Sequence, residues 1–132
     1  MKQSIFPGTP LLAGPDVELK RRQILDYFHA TFDHYEQLFE VLTCDEAYYV
    51  KPIALRHPLI FYFGHTATFF INKLVLAGLI EQRINPGFES MFAIGVDEMG
   101  WDDVNDMRYD WPGVDEVRRY RQAVRAAVDR LI

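Results

Sequence analysis

The sequence predicts an all-α fold. Two long stretches carry apolar residues every three or four positions, the spacing of one helix face. A third stretch is apolar on almost every side, and prolines and glycines punctuate the segments between them. At 132 residues the chain is one domain by length and long enough to bury a core. Apolar residues make up 49% and charged residues 25%, an ordinary globular balance, and ten Phe and seven Tyr predict a bulky, well-filled interior. A net charge of −5 lacks the basic excess of a nucleic-acid binder. Cys44, the lone cysteine, cannot form an internal disulfide and points to a reducing, cytoplasmic setting.

Residues 1–15 form an irregular arm broken by Pro7, Pro10 and Pro15, without the apolar core of a signal peptide. Asp16 is a good N-cap for a helix from Val17 to about Leu42. Ile24, Phe28, Phe32, Tyr35, Phe39 and Leu42 are its buried stripe, with Lys20, Arg21, Asp26 and Glu36 elsewhere. Residues 43–58 are a connection stopped by Pro52 and Pro58. A second helix begins at or just after Pro58, which suits a first-turn position because proline lacks a donor, and ends near Gly78 or Leu79.

The run from Leu59 to Ile80 approaches membrane-spanning length. It carries His65, Asn72 and Lys73 with hydroxyls at Thr66 and Thr68, so we read it as the centre of a bundle and expect no membrane partner. Residues 81–113 show no sustained period and are interrupted by Pro86, Gly87, Gly95, Gly100, Pro112 and Gly113. They read as one long loop, and a loop of that length in a compact domain is usually functional.

The third long helix starts around Val114, with Asp115 and Glu116 in its first turn. Val117, Tyr120, Val124, Ala127, Val128 and Leu131 form its buried face, and Arg118, Arg119, Arg121 and Arg125 its solvated side. The central helix needs neighbours all round. Three long helices leave part of it bare unless a fourth helix, the loop or another subunit covers it. The helical pattern is still running at Ile132, so a last bundle helix is expected outside this chain.

Chemistry centres on His65, in the phrase IFYFGHTATFFINK. Phe61 and Phe69 lie one turn away on the same face, Asn72 two turns on, and Gly64 permits close approach by another helix or a ligand. Taken alone, the residue reads first as a core histidine bonded to a backbone carbonyl or a tyrosine, because one imidazole does not hold a metal ion. His29 and His34 are five apart and cannot chelate as an i, i+4 pair, and His57 sits before a proline at the mouth of helix two. Glu89, Asp97, Glu98, Asp102 and Asp103 offer carboxylates in the loop, most of them expected to be solvated or to cap turns; Asp102 and Asp103 look like a helix start. There is no phosphate-binding glycine loop, nucleophile elbow or C-x-x-C, and Cys44 reads as inert.

The phrases LRHPLIFYFGHTATFFINKLVLAGLI, RINPGFESMFAIGVDEMGWDDVN and YDWPGVDEVRRYR, spanning about Leu55 to Tyr120, resemble the N-terminal DinB-like domain of ovothiol-type (histidylcysteine) sulfoxide synthases. These are relatives of the ergothioneine-pathway iron enzymes. The resemblance implies an up-down, DinB-like helix bundle within a non-haem iron, dioxygen-dependent oxidoreductase that joins cysteine sulfur to the histidine imidazole. It further implies three histidine ligands for iron(II): one in the phrase that reads GHTA here, hence His65, and two in an H-x-x-x-H-x-E motif on the bundle's last helix. Neutral imidazole suits iron(II), and three protein ligands leave positions open for thiolate and dioxygen. No H-x-x-x-H occurs in this chain. Iron is therefore expected only with ligands from outside it, and the chain alone is expected to be inactive. Arg56 and Arg108 are candidate equivalents of the basic residues that hold the thiol substrate's carboxylate, with a surface salt bridge as the plainer role for each.

Two other readings stand beside this one. The chain could be a non-catalytic interaction module that forms a homo-oligomer through the bare side of helix two. It could also be a metal-dependent DinB-like transferase, which would need His29 or His34 to turn towards His65.

Overall fold

A computed structural model of the chain describes residues 8–95 and 110–132. The elements are α1 (Val17–Phe39), a 3-10 turn η1 (Asp45–Tyr48), α2 (Leu59–Leu76), α3 (Pro86–Met91) and α4 (Val114–Leu131). No strand occurs among the described residues, in keeping with the all-α reading. The chain divides into two compact units, one built on α1 and ending at Val41, the other running from Leu42 to Leu131.

In the first unit, the Asp16 side chain accepts from the Leu19 N–H at 2.8 Å and starts α1 where the sequence places it. Phe28 and Phe32 are its buried residues, with ring centroids 5.5 Å apart. Ile24, Tyr35 and Phe39 are half-buried along the same stripe. The helix stops at Phe39 rather than near Leu42, because the Glu40 N–H bonds back to the Gln37 carbonyl at 3.2 Å and tightens the last turn.

The second unit is organised around α2. Pro58 is its N-cap, in extended conformation, and the Phe61 N–H takes the Pro58 carbonyl at 3.0 Å. Gly78, at φ +69°, closes the other end: the Gly78 and Leu79 N–H groups bond the Val75 and Leu74 carbonyls at 3.0 and 2.9 Å. That pair of bonds is a Schellman cap, which needs the left-handed residue that glycine supplies without strain. By length and composition alone α2 is apolar enough to cross a membrane. Ile60, Phe61, Phe63, Gly64, Ala67, Thr68 and Ile71 are buried, and α3, α4 and η1 are its neighbours.

Two expectations need correction. The segment 81–113 is not all loop, since α3 forms within it. Asn85 caps α3 by accepting from the Phe88 N–H at 3.1 Å, and Pro86 occupies the first turn. A helix of six residues is too short to show a period. α3 lies against α2 and takes part of the covering role that the sequence left to a fourth helix or to the loop.

The second correction concerns Arg121. It is not on the solvated side of α4 but 1% exposed, and it donates to the Phe63 carbonyl at 2.6 Å and the Thr66 hydroxyl at 2.7 Å. Its guanidinium also lies over the Phe63 ring, 4.8 Å from the centroid. Val117, Tyr120, Val124 and Val128 of the expected α4 face are buried. Ala127 is half-buried, whereas Leu131, also expected on that face, is exposed.

Candidate functional site

His65 sits midway along α2, half-buried. Its Nδ1 is 2.7 Å from the Phe92 carbonyl oxygen. A carbonyl only accepts, so Nδ1 carries the proton and donates, and Nε2 is left with its lone pair. Phe61 stacks on the imidazole (centroids 5.4 Å, planes 10° apart), and Phe69 meets it edge-on at 6.3 Å.

His57 lies on the other side of Phe61, stacked at 3.8 Å. It is only 6% exposed. Its Nε2 reaches the Ile94 carbonyl at 3.0 Å. Burial is the first cause holding its pKa below the ordinary histidine value, with the Ile94 bond acting against that shift. The row His57–Phe61–His65 therefore faces one short segment, the exit of α3, through two carbonyls. Trp111 closes the group, parallel to Phe92 at 6.0 Å and edge-on to His57 and Phe61, each at 6.1 Å.

Gly64 makes this approach possible. A Cβ at position 64 would stand 2.5 Å from two carbons of the Phe92 ring, a separation no side chain tolerates. The close approach that the sequence allowed at Gly64 is thus used by Phe92 from α3.

A buried carboxylate anchors α3 from the opposite side. Glu89, 2% exposed, accepts through Oε1 from the Ile84 and Asn85 N–H groups, both at 3.0 Å. Arg83 donates to its Oε2 at 3.3 Å, and the Tyr120 hydroxyl to Oε1 at 3.4 Å. Asn72 of α2 donates to the Glu89 carbonyl at 2.9 Å and accepts from Arg83 at 2.6 Å. Thr68 donates to the Tyr120 oxygen at 3.4 Å, and burial, the largest cause, pushes the Tyr120 phenol far above its ordinary range. A carboxylate in that position is stable because every oxygen is bonded. Of the two roles expected for the loop acids, solvation or turn capping, Glu89 takes the second, and it does so buried.

Arg56 is exposed in the turn before His57, its N–H bonded to the Ile53 carbonyl at 3.0 Å. Arg108 lies outside the described residues, as do Asp97, Glu98, Asp102 and Asp103. His29 and His34 belong to the first unit. Among the described residues no group of three or more His, Cys, Asp or Glu side chains is placed to hold a metal ion. His65 fits the part of one ligand, with Nδ1 engaged and Nε2 a donor atom; a complete three-ligand set is not formed by the described residues.

Sequence reasoning missed Glu89 and Arg121 as buried groups, and both left a signal. Asn85–Pro86 followed by Glu89 is a helix-start pattern, and Arg121 falls at the fourth position after Val117, on the buried face of α4. No curated protein matches this chain. The family model for the DinB superfamily matches residues 27–132. This match, in keeping with the all-helical fold of the described residues, makes the chain a member of the DinB superfamily.

Proposed function

We propose that this domain belongs to an ovothiol-type sulfoxide synthase and supplies one of three histidine ligands to a non-haem iron(II) centre. Its substrates would be a cysteine-type thiol and histidine. The observation that carries the reading is that His65, on α2, occupies the histidine of the GHTA phrase. Its Nδ1–H bond to the Phe92 carbonyl, which a core histidine would also make, is compatible with ligation because it leaves Nε2 as a donor atom. Ligating histidines characteristically give their second N–H to a carbonyl or carboxylate, which fixes the ring and the tautomer. When bound, iron would supply the activation of dioxygen and thiolate. This chain would contribute Nε2 of His65, aromatic walls from Phe61 and Phe69, and a carboxylate-binding cation from Arg56 or Arg108. The other two imidazoles would come from an H-x-x-x-H-x-E helix outside this sequence.

The test is iron(II) content and sulfoxide formation when this chain is supplied with that helix, fused or in trans, for the wild type and for His65→Ala. Iron bound by the wild type and lost in the variant supports the reading. Iron retained in His65→Ala, or absent from the wild type, ends it.

A further inference from the structure

We propose that α3 is a positioning element for His65: the Gly64 notch and the Glu89 anchor together fix the Phe92 carbonyl, which holds the imidazole as the Nδ1–H tautomer with Nε2 presented as an electron-pair donor. The metal part of this inference rests on the function proposed above, whereas the tautomer stands on geometry alone.

Three placements carry it. The Phe92 ring is fully buried and occupies the space that a Cβ on Gly64 would take, so the chain at residue 92 can approach α2 only while position 64 is glycine. Four residues after the N-cap of α3, Glu89 ties the start of that helix to itself through two N–H groups, and to α4 through Tyr120. Asn72 ties the Glu89 carbonyl to α2, two turns beyond His65. Helix α3 is therefore held at both ends, and its exit delivers an acceptor to Nδ1 at 2.7 Å.

The acceptor decides the chemistry of the ring. In water a neutral imidazole favours the proton on Nε2, which leaves Nδ1, close to the backbone, as the donor atom. A fixed carbonyl opposite Nδ1 reverses that choice and turns the lone pair away from the main chain. His57 provides an internal contrast, because its Nε2 is the atom spent on a carbonyl.

The experiment is long-range 1H–15N correlation of the histidine side chains in the full chain, at a pH where the rings are neutral. The expected wild-type result for His65 is a protonated Nδ1 and an unprotonated Nε2. A dominant Nε2–H form overturns the proposal. In Gly64→Ala the displaced Phe92 ring should carry its carbonyl away and shift His65 towards Nε2–H, and adding Phe92→Leu should restore the Nδ1–H form by freeing the space. Glu89→Gln, which keeps side-chain volume, should give a smaller shift in the same direction. An unchanged His65 tautomer in folded Gly64→Ala overturns the positioning role.

With the ligand helix supplied, Gly64→Ala should weaken iron(II) binding about 10–100-fold, the range for losing a partner behind a metal ligand. If the wild type shows the Nδ1–H form yet no iron binds, the functional reading fails and the positioning of the ring survives. If iron binds to a ring in the Nε2–H form, the reverse holds.

Discussion

His57 and His65 flank the same phenylalanine and lean on the same short segment, yet they are used in opposite ways. His57 is buried, stacked tightly on Phe61, and bonded through its outer nitrogen Nε2. His65 is half-buried and bonded through Nδ1, which leaves the outer nitrogen unspent. Register explains the difference. His57 precedes the helix and reaches the Ile94 carbonyl with its far nitrogen, whereas His65, within the helix, reaches the Phe92 carbonyl with its near one. One ring is mortar. The other keeps a donor atom, and only the second has the form of a ligand.

Four changes would break or sharpen that contrast. The largest effect belongs to Glu89→Ala, which removes the anchor common to both carbonyls. The Ile84 and Asn85 N–H groups and the Tyr120 hydroxyl lose their acceptor, while half-exposed Arg83 can turn to water. A loss of about 3–5 kcal/mol is expected in denaturant unfolding. A loss under about 1 kcal/mol would mean that α3 is held by its rings alone.

Gly64→Ala follows, with an expected loss of about 1–3 kcal/mol from overpacking against Phe92. The pairing with Phe92→Leu should recover part of it in the same unfolding assay. His65→Ala should cost only about 1 kcal/mol, that of one net hydrogen bond and some ring contact. If His65 proved the more costly of the two, its role would be packing rather than ligation.

The smallest effect separates the histidines by pH. His57 has its pKa lowered in the fold, chiefly by burial, so the unfolded chain binds the proton more readily. Stability should then rise with pH through the window that ends near the unperturbed histidine value of about 6.5, and fall on acidification through it. His57→Asn should flatten this part of the pH–Tm curve. An unchanged slope would show that the ring is not the group responsible.

Much of this was legible from residue order. Asp16, Pro58 and Gly78 mark helix limits through local chemistry, and apolar spacing fixes the face of α1 and, Arg121 and Leu131 apart, that of α4. The isolation of His65 among rings also follows from spacing along one helix. The acceptor on Nδ1 did not, because Phe92 is 27 residues away and its approach depends on a helix of six residues. Burial of Glu89 and Arg121 was obscured for a different reason: charge predicts exposure unless the partners are known. Here they include the N–H groups before α3, Arg83 and the Tyr120 hydroxyl for Glu89, and the Phe63 carbonyl and ring with the Thr66 hydroxyl for Arg121.

The contact at His65 is made by a peptide oxygen, and that has a consequence for how such a chain can drift. No substitution at residue 92 can delete a main-chain carbonyl, so position 92 is free to exchange one bulky side chain for another. Position 64 is tied to that choice, since a side chain there meets the Phe92 ring and is accommodated only when residue 92 is smaller. Among relatives that keep the histidine, glycine before it should accompany a bulky residue at the carbonyl position, and a larger residue at 64 should appear only with a smaller one at 92.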